Sequence, residues 1–180
     1  MTTQIQTDFT QAMTDAMTML AQDPRVVFMG QQVAYPGHVV YETLKHIPED
    51  RRLELPVAEE FQMGFATGLA LAGFIPVSVY PRLDFLMLAM NQLVNHLDKL
   101  EEMSLGELKP KVIIRTMLGT TRPLNPGPQH SADHRRALCL MLTNIDVLSV
   151  ASFEEVALVY KQALESPRST IVVECPPGRR

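Results

Sequence analysis

Two adjacent carboxylates, Glu59 and Glu60, stand where residues 55–73 (LPVAEEFQMGFATGLALAG) change from strand-like to helix-like character. A carboxylate at a helix N-terminus is favoured by the helix dipole. The helix that follows is built almost wholly of small and apolar residues. Gly64, Ala66, Gly68, Ala70 and Ala72 let another backbone come very close. A carboxylate beside such a surface can be desolvated and made to exchange a proton with a bound ring nitrogen. Spacing alone equally allows both glutamates to be simple complements of the dipole. A second candidate is His130, set between Gln129 and Ser131 in a loop rich in Gly, Pro and Thr. A histidine there can supply a proton or a positive charge, or can be an ordinary solvated side chain. His130 and His134 are four apart with Asp133 between them. No third or fourth ligand stands at a supporting spacing, and no metal site is expected.

These residues must be positioned by elements that the apolar pattern marks out. Phe9, Ala12, Met13, Ala16, Met17 and Leu20 recur at helical spacing, with Thr7 or Asp8 as candidate caps. Short continuous apolar runs at 26–29, 75–80, 111–117, 146–150 and 170–174 read as strands, and a further strand ends at Leu55. Between them lie helical stretches at 56–72, 83–100, 132–142 and 153–165. Gly73 suits the C-terminal cap of the first, and Ser152 with Glu155 forms a capping box for the last. Leu86, Met90, Leu93, Val94 and Leu97 form one stripe on the 83–100 helix. Residues 31–48 are mixed, with a turn at Pro36-Gly37. Residues 118–131 read as a long loop of the kind that is often functional. Pro176-Pro177-Gly178 is expected to end the ordered chain. Apolar strands alternating with helices predict an α/β domain: a doubly wound, mainly parallel sheet with helices on both faces. Ligands in such sheets bind beyond the carboxyl ends of the strands, here the loops after Met29, Leu55, Tyr80 and Met117.

Bulk properties narrow the function classes. A chain of 180 residues is enough for one domain, expected to span residues 1–180. A net charge of −4 gives no basic footprint for nucleic acid. No apolar run reaches membrane-spanning length, and the N-terminus lacks the cationic start and apolar stretch of a secretory signal. Cys139 and Cys175 match no metal spacing and are expected to be reduced core residues of a cytoplasmic protein.

The run PVAEEFQMGFATGLALAGFIPV resembles the beta subunit of thiamine diphosphate-dependent 2-oxo acid dehydrogenases of the pyruvate dehydrogenase type, in the transketolase-like superfamily. That family has a Pro, an apolar residue, a small residue and an invariant Glu before a Gly-rich helix and a Gly-x-x-Pro-Val strand. The Glu falls on Glu59, and Gly64, Gly68, Gly73 and Pro76 keep the register without a gap. VVFMGQQVAYPG, VSVYPRLDFLMLAMNQLVNHLDKL and GPQHSAD resemble further family segments, so the likeness covers roughly residues 26–174.

The resemblance implies a pyrimidine-binding domain and thiamine diphosphate as cofactor. The cofactor reacts as a carbanion at its thiazolium ring, its own aminopyrimidine being the base. Glu59 would stand against the pyrimidine nitrogen, Tyr80 would stack on the ring, Phe85 would line its slot, and His130 would lie near the substrate carbonyl. The Gly-Asp-Gly…Asn motif that holds Mg2+ and the diphosphate is not in the sequence. An alpha-type subunit is therefore the expected partner, with this chain inert alone and assembled as a homodimer or heterotetramer. The helix that carries Asn91, Gln92, Asn95 and His96 would pack at the dimer interface; these residues are otherwise a solvated face and are given no catalytic role. The implied activity is oxidoreductase chemistry that begins by decarboxylating a 2-oxo acid. The alternatives are transketolase-like two-carbon transfer, for which Arg82, Arg115 and Arg122 form no phosphate cluster, and a non-catalytic scaffold for the alpha-type chain. Three departures stand out. Gln31 and Gln32 replace the acidic residue after the first strand's glycine. The loop TMLGTTRPLNP lacks the usual glycine pair. The family's C-terminal domain is expected to be missing after Arg180.

Overall fold

A computed structural model describes residues 2–120 and 125–175, and the side chains from Thr7 onward within them. Its centre is a six-stranded sheet in the order β2-β1-β3-β4-β6-β5, every neighbouring pair parallel. The strands are β1 Val26–Gly30, β2 Arg52–Glu54, β3 Ile75–Tyr80, β4 Ile113–Met117, β5 Ile145–Val150 and β6 Ser169–Glu174. Continuous burial along β3 and β6 is what a parallel sheet covered on both faces demands.

One face is covered by α1 (Thr2–Leu20), α2 (Val39–Leu44) and α7 (Phe153–Glu165). Met13, Met17, Leu20, Val40, Leu44, Val156 and Tyr160 pack there on Phe28, Val77, Ile113 and Val172. The other face carries α3 (Glu59–Leu71), α4 (Leu83–Leu86) with its continuation, and α6 (Arg135–Met141); α5 (Leu100–Met103) follows that continuation and buries none of its residues. Met63, Ala66, Leu86, Leu93 and Leu138 pack there on Met29, Tyr80, Ile114 and Val173. The doubly wound α/β arrangement expected from the alternating elements is thus present. The capping box of α7 forms as read, Ser152 and Glu155 satisfying each other's backbone amides.

Some expectations are corrected. Helix α2 lies inside the stretch read as irregular. It is only six residues long and starts with His38, whose Nδ1 accepts the Val40 N–H as a cap. Its short pattern gives too little periodicity to read. Thr7 and Asp8 do not cap α1, which begins at Thr2.

The single helix expected at 83–100 is broken. It runs from α4 through a 3-10 turn, Met87–Ala89, into a π-helix, Asn91–Leu97. The Asp98 N–H reaches back to the Leu93 carbonyl, the wide-turn bond of a π-helix. Widening this segment buries Leu93 and Leu97 and leaves Met90 and Val94 at the edge. It also sets Gln92 against Gly64, where a Cβ would meet the Gln92 amide at 3.4 Å. Asp98 fastens its end to the turn before β5, accepting the N–H groups of Thr143 and Asn144. Burial pushes the Asp98 carboxyl up, but Lys99, Asn144 and Thr143 together hold it below the usual carboxylate range.

Helix α6 begins at Arg135, later than expected, because the Ala132 N–H is turned toward Asp84. Of its seven residues only Leu138 is buried. Cys139, the next residue, is therefore exposed and Cys175 is half-buried, so neither is a core residue; neither is in a disulfide. The expected end of order at Pro176-Pro177-Gly178 lies outside the described residues.

Candidate active site

The strand order reverses direction at β1, with β2 on one side and β3 on the other. That makes the carboxyl ends of β1 and β3 the topological switch point, where open α/β sheets bind ligands. The two backbones come very close there. A Cβ on Gly30 would lie 2.3 Å from the Val79 carbonyl oxygen, and Gly30 has φ +135°. Only glycine fits such a position.

The chain leaving β1 is shaped by a residue that the sequence reading did not single out. Glu54, at the end of β2, accepts the N–H groups of Gln32 (2.7 Å), Val33 (2.8 Å) and Ala34 (2.9 Å). This carboxylate holds Gln32 in the left-handed region at φ +63°, a conformation uncommon outside glycine. Gln31 is fixed between these two unusual backbone positions. Its Nε2 donates to Glu59 Oε1 at 3.1 Å, both side chains being buried.

Glu59 is the first residue of α3, which has no side-chain N-cap. Its position is set from three sides: by the helix start, by Gln31 and by Tyr80, whose hydroxyl donates to the Glu59 carbonyl oxygen at 3.3 Å. Burial, with the Glu59 charge adding, outweighs a bond to Ser78 and pushes the Tyr80 phenol well above its ordinary value, so it remains a donor. The Tyr80 ring is 0 % exposed. It offers the site a hydroxyl under the Glu59 carbonyl rather than an open ring face. One turn into α3, Gln62 donates to Ser78 Oγ and the Val79 carbonyl, leaving its own Oε1 buried without a partner.

His130 closes a 3-10 turn, Pro128–His130, in the loop after β4. Its ring meets that of Phe85 edge-on, 5.5 Å between centroids. Its backbone lies against Gly119, where a Cβ would fall 1.7 Å from the His130 carbonyl oxygen. The imidazole Nδ1 is buried without a partner. The structure therefore brings the predicted residues together as two pairs, Glu59 with Tyr80 and Phe85 with His130, both at the carboxyl edge of the sheet. Among the described residues no hydrogen bond or ring contact joins the two pairs.

His134 is turned toward Asp84 at 3.9 Å. Among the described residues there is no group of three metal-ligating side chains. Asn91 and Asn95 form a surface ladder with Glu60: Asn91 donates to Glu60 Oε1 and Asn95 to Asn91 Oδ1. Arg115 belongs to the fold, buried on Glu174 at 2.6 Å and Thr43 at 2.8 Å. Arg122 and part of the TMLGTTRPLNP loop lie outside the described residues.

Glu54, Gln62 and Asp84 are the polar site residues that sequence reasoning missed. Glu54 and Asp84 sit at element ends, and Gln62 one turn into α3, where a polar residue gives no periodic signal. No helix among the described residues is long and apolar enough to cross a membrane.

Comparison with known proteins bears on the fold and the family. The beta subunit of the pyruvate dehydrogenase E1 component from Chaetosphaeridium globosum is 34% identical over 126 residues, which is 67% of this chain and 38% of that protein. The 3-methyl-2-oxobutanoate dehydrogenase subunit beta of Mycobacterium tuberculosis is 39% identical over 107 residues, 58% of this chain and 30% of that one. This chain thus spans well under half of such relatives. A split-gene transketolase, described as an inactive beta4 tetramer, shares the fold with a TM-score of 0.68 at 19% identity, over 95% of this chain and 50% of that one. A transketolase variant of Pichia stipitis does so with a TM-score of 0.70 at 16% identity, over 92% and 25%. The pattern of the transketolase pyrimidine-binding domain matches residues 5–176. With the fold, the switch-point glutamate and this match in hand, the chain belongs to the transketolase pyrimidine-binding domain family, which is thiamine diphosphate-dependent.

Proposed function

We propose that this chain supplies the pyrimidine half of a thiamine diphosphate site shared with an alpha-type subunit, and that the assembled enzyme decarboxylates a 2-oxo acid. The observation that carries the reading is Glu59: a buried carboxylate at the switch point, held by Gln31 at 3.1 Å and anchored through its carbonyl by Tyr80. The donor set fits an aminopyrimidine. A carboxylate to meet a ring nitrogen and an orphaned buried amide oxygen on Gln62 stand on the same turn of α3. When bound, the cofactor supplies the nucleophilic carbon and the electron sink that decarboxylation of a 2-oxo acid requires.

This chain's residues do the rest. Glu59 holds or passes a proton at its carboxylate oxygen toward the ring nitrogen. Gln31 and Tyr80 keep that carboxylate from turning away. Phe85, half-buried, lines the slot for the ring, and His130 supplies a proton or positive charge at the substrate carbonyl.

Residues for a diphosphate and its Mg2+ are assigned to the alpha-type partner, because the Gly-Asp-Gly…Asn motif is not in this sequence. Two features support a partner. The similar proteins are described as beta subunits. Helix α3 also leaves Phe61 and Phe65 stacked at 5.7 Å on the surface, with Val57 exposed just before its start. A homodimer of this chain within a heterotetramer, working in the cytoplasm, fits this reading.

The test is turnover of the chain mixed with its alpha-type partner, cofactor and Mg2+, on 2-oxo acids and, in parallel, on a ketose donor. Glu59→Gln should cost roughly a hundredfold or more in kcat, the scale of a lost acid-base group, with assembly by size-exclusion chromatography unchanged. Full turnover by Glu59→Gln would overturn the reading. Activity on the ketose alone would move the substrate class to two-carbon transfer.

A further inference from the structure

Asp84 sits in the first turn of α4, immediately after the strand that ends in Tyr80. Its side chain is 9% exposed. Its Oδ1 accepts the Ala132 N–H at 3.1 Å and faces His134 Nε2 at 3.9 Å, while its Oδ2 is buried without a partner. The neighbouring Phe85 carries the edge-on contact with His130. Two consecutive residues of α4 thus grip the loop on both sides of Ser131, and the Gly119 backbone blocks it from behind.

A helix start would account for an acidic residue left in water. It does not account for one enclosed and turned to an amide 48 residues away. No described lysine or arginine forms an ion pair with Asp84, and enclosing a carboxylate without a strong counter-charge is costly. The compensation is the loop amide and the facing imidazole.

We infer that Asp84 is the positioning residue for His130, fastening the loop that carries this imidazole to the helix that follows β3. The inference rests on the proposed role of His130 at the substrate carbonyl. It adds that the placement of His130 is set from β3, the strand that also supplies Tyr80 to Glu59. The two halves of the candidate site then share one structural base, Tyr80 to Phe85.

Hydrogen exchange on the full chain alone tests the fastening, with β4 and β6 amides as the check that each variant is folded. In Asp84→Ala the amides of residues 130–134 should exchange about tenfold faster, the scale of one lost hydrogen bond. Asp84→Asn, which keeps an acceptor oxygen for the Ala132 N–H, should stay close to the parent.

In the reconstituted enzyme, Asp84→Ala should lower kcat by about tenfold or more through misplacement of a reacting group. KM and cofactor affinity should stay within about twofold, and Asp84→Asn should restore most of the loss. Unchanged loop exchange in Asp84→Ala overturns the inference. Faster exchange with unchanged kcat also overturns it, because the loop would then be fastened to no catalytic end. If the parent mixture turns over no substrate, the proposed function fails separately, and the exchange result still decides whether Asp84 holds the loop.

Discussion

Gln31 shows how one residue departs from a family pattern yet remains tied to the same carboxylate. The resemblance places an acidic residue after the glycine of β1. Here an amide stands there, and the amide donates to Glu59 Oε1. Two carboxylates at this distance would repel each other; an amide and a carboxylate attract. Unusual backbone flanks that amide on either side, Gly30 at φ +135° and Gln32 at φ +63°. Glu54 maintains it through three backbone N–H groups. Gln31→Ala should therefore weaken catalysis without disturbing the sheet. A lost hydrogen bond to a charged group is worth about 1.5–3 kcal/mol, so kcat/KM of the reconstituted enzyme should fall roughly ten- to a hundredfold. Parental kcat/KM in this variant would show that Glu59 is positioned without Gln31.

Among the elements, the strands other than β2 were legible in the sequence because they are short, largely apolar runs between breakers; β2, Arg52–Glu54, carries only Leu53 as an apolar residue. Residues 75–80 match β3 at both ends. Helix α7 was legible because its capping box is a sequence pattern with a mechanism. The Glu59 position was legible from its small-residue helix and its family register. What stayed hidden was tertiary. Six residues of α2 are too few to show a period, and they are stabilised by His38 and by contact with the core. The π-helix is imposed by packing on α3, which a uniform helical stripe cannot reveal.

Arg115 is the clearest hidden case, since a strand arginine reads as a surface or ligand-binding group. It is instead the core of a network. Its Nε donates to Glu174, the Tyr160 hydroxyl donates to the same carboxylate, and Thr43 accepts from Nη1. Burial would discharge the guanidinium, but Glu174 beside it holds the Arg115 pKa above its ordinary value. This network ties α2 and α7 to β4 and β6. Arg115→Met should destabilise the chain by about 3–5 kcal/mol, because Glu174 is left buried without its counter-charge. The double variant Arg115→Met with Glu174→Gln should recover part of that loss. Equal denaturation midpoints for the single and double variants would contradict the assignment.

The molecule as a whole is a doubly wound α/β fold of the transketolase pyrimidine-binding family. Among the described residues, one core lies on each face of a continuous parallel sheet. At the carboxyl edge of that sheet stand a carboxylate and an orphaned amide oxygen at the switch point, and a histidine in the loop after β4. An apolar pair, Phe61 and Phe65, is exposed on the same helix as Glu59. The central claim is that this edge takes the pyrimidine ring of a cofactor whose diphosphate is held elsewhere. Calorimetry of thiamine diphosphate with Mg2+ tests it most directly, on the chain alone, on its mixture with the alpha-type partner, and on the same mixture with Glu59→Gln. Binding only in the mixture, lost or strongly weakened by Glu59→Gln, is the predicted result. A stable complex of the two chains that binds no thiamine diphosphate would contradict the account and leave this chain a scaffold.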